Sequence, residues 1–326
     1  MSNHLNNGKA WIIGAGNMAR AYAPVLKALR VPFIVIGRGE ERAAAFTQET
    51  GVPAISGGLD AFLAEKPPLP SFVISAVQVE FASETLRKLL EYGVKYILAE
   101  KPAGLTPEEL QANANLAKEN NAIVNIAYNR RFYASTITAE RLIAEDGGIK
   151  AMSFEFTELW RVISQCKGDV SGWFYANSTH VCDLAFYLGG VPRQMACYQK
   201  RGIDGYTSTV SFAGAGITTK DVPFTYQANY LLPGRWGVEV LTSKRRLILR
   251  PMEQLQVWPL GSFVIEPFEI DDALDKQYKP GLYLQVKTFM ENPVSPRFLT
   301  LAQQAEHMRI YRIMHEESGM ECSAMA

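Results

Sequence analysis

Short apolar runs alternate with helical patterns through the first 126 residues. Ala10–Ile13, Pro32–Ile36, Ser71–Ser75, Tyr96–Ala99 and Ala122–Ile126 each read as a buried strand. After the first of them, Met18, Tyr22, Val25, Leu26 and Leu29 recur at helical spacing. Thr106-Pro107-Glu108-Glu109 opens another helix. The threonine can cap, proline suits the first helical position, and Glu109 completes a capping box. Strands alternating with helices predict a parallel sheet with helices on both faces, a doubly wound Rossmann arrangement.

The period changes after about residue 150. Met152, Phe154 and Phe156 alternate with Ser153, Glu155 and Thr157, the pattern of a strand with one buried face. Similar strands are expected at Gln194–Lys200, Tyr206–Phe212, Phe224–Leu232, Gly237–Leu241 and Arg246–Leu249, with turns such as Pro233-Gly234 between them. Strands in such close succession predict a large open, mostly antiparallel sheet whose outer face is solvated or covered by a partner. Helix returns with Leu301, Ala305, Met308 and Tyr311 on one stripe. The fold class expected is α/β, with a dinucleotide-binding domain over 1–126 and an α+β domain for substrate binding and oligomerisation over 127–326.

The bulk properties narrow the setting. The 326 residues carry 33 basic and 33 acidic side chains, so no global charge draws the chain to nucleic acid or an anionic membrane. No apolar run is long enough to span a bilayer. Met1–Asn7 is polar and lacks the apolar core of a leader. Cys166, Cys182, Cys197 and Cys322 show no metal-type spacing, which points to free thiols in a reducing, cytoplasmic compartment and to no metal site.

Two stretches carry chemistry. Gly14-Ala15-Gly16-Asn17-Met18-Ala19 follows the first strand and has the form of a dinucleotide-binding turn. Gly14 permits the tight turn, Gly16 lets backbone N–H groups approach a pyrophosphate, and Ala19 permits close helix–strand packing. The second strand runs into Gly37-Arg38, with no acid where an NAD ribose would need one. This favours a 2′-phosphate, hence NADP(H) over NAD(H), while Glu40 or Glu41 reaching the ribose is the alternative. The other stretch, Ala99-Glu100-Lys101-Pro102, sets a lysine at the carboxyl end of a later strand, where ligands of such sheets bind. Ala76, Glu100 and Lys101 join Gly14, Gly16, Asn17, Met18 and Arg38 in the expected cofactor set, and Lys101 is a candidate proton carrier for hydride chemistry.

His180, one of four histidines, lies where a loop-like segment from Ser171 becomes an apolar helix, and it shares a helix face with Asp183. The glycine turn, Glu100-Lys101-Pro102 and His180-x-x-Asp183 resemble, in order and spacing, the glucose–fructose oxidoreductase / inositol dehydrogenase family, Gfo/Idh/MocA. The resemblance extends over nearly the whole chain, including Tyr128-Asn129-Arg130-Arg131-Phe132 and Trp236 to Lys244. It implies an NAD(P)-dependent oxidoreductase that exchanges hydride with a sugar-like alcohol or ketone, nucleotide-linked in some members. It further implies a homodimer or homotetramer, Lys101 as acid/base and His180 against the reacting hydroxyl. Tyr128, Arg130, Trp173 and Asn177 are candidates to line the substrate pocket. Many members carry an aspartate four residues before the histidine, whereas this chain has Ala176. The alternatives are a non-catalytic NAD(P)-binding regulator of the same fold and a reductase of a non-sugar substrate.

Overall fold

Four consecutive apolar residues make Ala10–Ile13 (β1) a strand that must be covered on both faces, and all four are buried. In the computed structural model β1 is central to the first of two sheets. The structure describes Leu5 and residues 8–166, 168–202 and 205–316, together with the backbone of 321–323. The polar start at 1–7, apart from Leu5, and the side chain of Cys322 lie outside the described residues.

The chain divides into two units. The first holds Met1–Asn129 and Ala273–Glu306. Its remaining parallel strands are Phe33–Ile36 (β2), Ala54–Ile55 (β3), Val73–Ser75 (β4), Tyr96–Ala99 (β5) and Ile123–Ile126 (β6). Their spatial order is β3-β2-β1-β4-β5-β6, which reverses direction beside β1 as in dinucleotide-binding sheets. Helices Asn17–Ala28, Glu40–Thr50, Val79–Tyr92 and Pro107–Glu119 follow β1, β2, β4 and β5. Thr106 caps the last of these by accepting from the Glu109 amide, as its sequence predicts.

The later segment belongs to this unit for a packing reason. Phe289, on the helix Leu282–Glu291, meets Phe72 edge-on at 5.9 Å and Phe298 at 5.8 Å. Leu299–Thr300 then pairs antiparallel with β6. A single boundary after residue 126 therefore leaves out the return of Ala273–Glu306, whose strand is two residues long and carries no readable period.

The second unit comprises Arg130–Asp272 and His307–Ala326. Its strands are Ala151–Glu155 (β7), Pro192–Arg201 (β8), Thr209–Thr218 (β9), Pro223–Asn229 (β10), Gly237–Leu241 (β11), Arg245–Leu249 (β12), Gln256–Pro259 (β13) and Glu266–Pro267 (β14). The order is β14-β13-β12-β11-β7-β10-β9-β8, with Glu321–Ser323 added beyond β8. All pairings are antiparallel except β7 with β10, so the mostly antiparallel sheet is as expected. β9 runs six residues past the expected Phe212 because its glycines are filled by neighbours. A side chain at Gly214 would strike the Tyr226 ring, and one at Gly216 the Gln194 carbonyl oxygen.

One face of this sheet carries an aromatic layer. Phe154 packs on Phe186 at 5.8 Å and on Tyr226 at 5.4 Å, and Phe156 meets Phe174 at 5.6 Å. Phe186 belongs to the helix Thr179–Gly189, so the layer seats the helix that carries His180. The other face carries charged pairs. There Arg250 pairs with Glu155 at 2.6 Å and reaches Glu239 at 4.0 Å across the strands.

Candidate active site

In the first unit the carboxyl ends of β1, β4 and β5 bring the predicted cofactor residues to one edge. Gly14 has a φ of +107°, and a Cβ on it would lie 2.4 Å from the Ala76 carbonyl oxygen. Only glycine meets both conditions. The approach is held by the Gly14 amide donating to Ile36 O (2.7 Å) and the Ala76 amide donating to Ile13 O (2.8 Å). Gly16 has no such neighbour, since a Cβ there would meet nothing within 4 Å. It is open on the side where a ligand would come in. The helix that begins at Asn17 has no side-chain cap and no acid in its first turn, so its N–H groups remain available to an anion. The turn thus fits a dinucleotide pyrophosphate on its geometry as well as its sequence. Ala19 is fully buried beneath it.

Gly37 has a packing explanation. A Cβ would come within 3.1 Å of the Ala15 Cβ and 3.4 Å of the Ala43 Cβ, which disfavours any larger residue. Arg38 is exposed, and its guanidinium stacks over the Phe81 ring at 4.3 Å.

Lys101 is half-buried just beyond β5, and its bond to Pro102 is cis. The residues on either side of it are tied down. Tyr22, buried on the helix after the glycine turn, donates its hydroxyl to Glu100 Oε1 at 2.7 Å. Burial, with Glu100 beside it, pushes the Tyr22 hydroxyl far above its ordinary pKa, so it remains a donor. On the other side Gln304 donates Nε2 to Pro102 O at 3.1 Å and contacts the Tyr128 hydroxyl at 3.4 Å. Sequence reasoning missed Tyr22 and Gln304 because each lies on an apolar stripe that reads as core. Tyr128 itself has 0% exposure.

In the second unit the predicted loop from Ser171 is helical. Asp169 Oδ1 accepts from the Ser171 amide at 2.8 Å and starts a helical turn, Ser171–Trp173. A π-helix, Phe174–Ser178, continues into Thr179–Gly189. One wider turn just before His180 re-aims the residues around it, a frequent device at functional sites.

Two side-chain pairs join this helix to residues 130–131. Arg130 Nη1 lies 2.9 Å from His180 Nε2. Arg131 donates Nε to Asp183 Oδ2 at 2.8 Å and Nη2 to Asp183 Oδ1 at 2.6 Å, and Asp183 has no exposed surface. Burial pushes the Asp183 carboxyl above its usual range despite the guanidinium beside it. His307 Nδ1 sits 3.8 Å from the same carboxylate, and burial lowers its pKa to about 3, so it is neutral.

A cavity of about 260 Å³ opens beside these pairs, lined among others by Arg130, Glu158, Trp173, Asn177, Arg235 and Trp236. Three predicted pocket residues, Arg130, Trp173 and Asn177, come together there. Tyr128 and His180 are not among its lining residues. Glu158 and Trp236, which sequence reasoning did not select, are. Among the described residues no group of three His, Cys, Asp or Glu gathers to hold a metal, and no helix is long and apolar enough to cross a membrane.

Residues 9–128 match the model of the oxidoreductase family with NAD-binding Rossmann fold, Gfo/Idh/MocA. The levoglucosan dehydrogenase of Pseudarthrobacter phenanthrenivorans is 32% identical over 108 residues, covering 29% of this chain and 27% of that protein. The match therefore spans about a quarter of that relative's length. In overall fold, a levoglucosan dehydrogenase solved with NADH and L-sorbose superposes with a TM-score of 0.78 at 16% identity, over 96% of this chain and 98% of that one. A UDP-N-acetylglucosamine 3-dehydrogenase from Acidithiobacillus ferrooxidans gives 0.76 at 17%, over 95% and 97%. Residues 9–128, with the glycine turn and strand order described above, thus match the NAD-binding Rossmann domain of the Gfo/Idh/MocA oxidoreductases, and the chain as a whole shares the fold of the solved structures named here.

Proposed function

We propose that the protein is an NAD(P)-dependent oxidoreductase acting on a sugar-like alcohol or its ketone. The observation that carries this reading is the first unit's sheet edge. There the Gly14 approach to Ala76, the open Gly16 and the uncapped helix start form an anion cradle, with Lys101 on the same edge beyond β5. When bound, a nicotinamide supplies hydride transfer at a carbinol carbon. Gly14, Gly16, Asn17, Met18 and Ala76 hold the cofactor, and Arg38 favours a 2′-phosphate and thus NADP(H). Lys101 exchanges the hydroxyl proton, with Glu100 and Pro102 anchored so that its stem has a fixed origin. The cavity with two indoles, an amide and charged groups suits a polyhydroxylated substrate. The sugar dehydrogenases among the structural relatives support that substrate class. Ala176 leaves proton exchange to Lys101.

A homo-oligomer is part of this reading, because the second sheet exposes Tyr198 and Ile217 on its strands. Light scattering that reports only monomer at micromolar concentration would remove it. A cytoplasmic setting accords with Cys166 and Cys182 standing outside any disulfide.

The test has two arms. NADPH and NADH titrations should show binding, and a panel of sugars, nucleotide sugars and keto forms should reveal turnover. Lys101→Met should then keep cofactor affinity and lower turnover by about 10²–10⁴-fold, the span of general acid–base catalysis. Wild-type turnover in that variant would refute the role of Lys101. Tight cofactor binding with no turnover of any substrate would favour the regulator instead.

A further inference from the structure

We propose that Phe81 is a specificity-determining residue for the dinucleotide: its ring holds the Arg38 guanidinium by one face, so that the N–H edge stands as a fixed receptor for a 2′-phosphate. The inference rests on the NADP(H) reading above and adds the residue that makes it selective. Every group it uses belongs to the first unit.

The sheet order places the pair. β1, which ends at the glycine turn, lies between β2 and β4. Arg38 is the second residue past β2, and Phe81 stands in the first turn of the helix Val79–Tyr92, which follows β4. The two meet with the guanidinium carbon 4.3 Å from the ring centroid. The contact thus joins the connections on either side of the β1 end, where the strand order reverses and ligands of such sheets bind.

The stem of Arg38 has a fixed origin. The Gly37 amide donates to Ile55 O at 2.7 Å, and the Gly37 carbonyl accepts from the Gly58 amide at 2.9 Å. The Arg38 carbonyl accepts from the Gly57 amide at 3.3 Å. Ala15 and Ala43 pack closely against Gly37. The Phe81 amide donates to Gln78 O at 3.0 Å, so the ring too starts from bonded backbone.

Donor accounting gives the pair its meaning. A guanidinium has five N–H donors around its edge and none on its face. Stacking on an aromatic ring uses the face and leaves the edge available. Arg87 and Arg141 spend their edges on Glu91 and Glu145, at 2.7 and 2.6 Å. Among the described residues no carboxylate pairs with Arg38, and no acceptor takes its side-chain N–H groups. The helix Glu40–Thr50 just beyond opens on two acids, so its own N-terminus does not favour an anion. At this strand end the edge of Arg38 is what a phosphate can use, and planar bidentate donation suits its oxygens. An unheld arginine head samples many rotamers and must be ordered when a ligand binds. The ring lowers that cost beforehand, which favours ligands that use the guanidinium and no others.

The test compares whole wild-type protein with Phe81→Leu, Phe81→Tyr, Arg38→Ala and the double variant of Arg38→Ala with Phe81→Leu. Each is titrated by calorimetry with NADPH, NADH, 2′-AMP and 5′-AMP. Phe81→Leu should weaken NADPH and 2′-AMP by about 3–10-fold, the scale of ordering one long side chain. It should leave NADH and 5′-AMP at wild-type affinity, which also shows that the variant is folded. Phe81→Tyr keeps the ring and should bind all four as the wild type does. In the Arg38→Ala background Phe81→Leu should have no further effect, because the ring then has nothing to hold. A Phe81→Leu loss that falls equally on NADH and NADPH would mark the ring as structural and overturn the inference. Additive losses in the double variant would overturn it too. A wild-type NADPH preference that survives Phe81→Leu but not Arg38→Ala removes this inference and leaves the NADP(H) reading standing. A wild-type preference for NADH removes both.

Discussion

Removing the Asp183 charge should destabilise the second unit more than any exposed ion pair could. The pair is buried at both ends, with Arg131 4% exposed and Asp183 without exposed surface. It makes two charge-assisted bonds, of 2.8 and 2.6 Å, and the guanidinium stacks on Tyr187 at 4.7 Å. Breaking a buried pair from one side leaves an uncompensated charge and costs about 3–5 kcal/mol. Asp183→Asn keeps one acceptor for Arg131, so it should fall near 3 kcal/mol, about the low end of that range. Arg131→Met combined with Asp183→Leu removes both charges and should recover most of the loss, because desolvating the pair is itself costly. The assay is urea unfolding of wild type, Asp183→Asn, the singles Arg131→Met and Asp183→Leu, and their double, followed by tryptophan fluorescence, with Trp173 and Trp236 in the same unit. A loss under about 1 kcal/mol for Asp183→Asn, the scale of a surface pair, would refute the reasoning. So would a double variant as unstable as the sum of the singles.

Gly14→Ala should cost about 2–5 kcal/mol, combining positive-φ strain with an overpacked contact at the Ala76 carbonyl, and should abolish cofactor binding. Thermal unfolding with and without NADPH reads both effects, and a variant that binds normally would show the turn to be looser than described. Burial lowers the pKa of His307 to about 3 and that of His315 to about 4, from 6.5. Below about pH 6.5 the unfolded chain therefore binds protons that the folded chain refuses, so stability falls as pH drops toward those values, by about 2 kcal/mol per histidine at pH 5. Both ring nitrogens of His315 lack a hydrogen-bond partner among the described residues, and the ring sits against Phe174 at 5.1 Å. His315→Phe should accordingly flatten the acid limb with little change above pH 7, and an unaltered limb in denaturation against pH would count against this. Arg38→Ala should weaken NADPH binding by about 1–3 kcal/mol, the value of a charge-assisted contact, and leave NADH nearly unchanged. A wild-type preference for NADH in the same titrations would reverse the cofactor assignment.

Local pattern was enough for the first unit's strands, its glycine turn and the place of Lys101. Buried parallel strands write themselves as unbroken apolar runs, and a tight turn before a helix demands glycine at fixed positions. The period-two strands of the second sheet were legible for the same reason. Where strands were two residues long, as at Ala54–Ile55 and Leu299–Thr300, or rich in glycine, as at Ala213–Gly216, no period could form. Those segments were seen only through their neighbours.

His180, Arg130 and Asp183 were each visible as single residues in the chain, and their spacing on a helix could be counted. That Arg130 meets His180 while Arg131 meets Asp183 could not, because the partners are 50 and 52 residues apart. Sequence spacing constrains contacts within one helix, through its 3.6-residue period. Contacts between distant segments are decided by packing, here by the aromatic layer of Phe154, Phe156 and Phe186 that seats the His180 helix. The sequence alone thus determined which chemical groups the protein owns and the strand ends on which some of them stand. The tertiary structure decided which group faces the cavity and which stands behind it, because that choice depends on which donors and acceptors are brought within about 3 Å of one another.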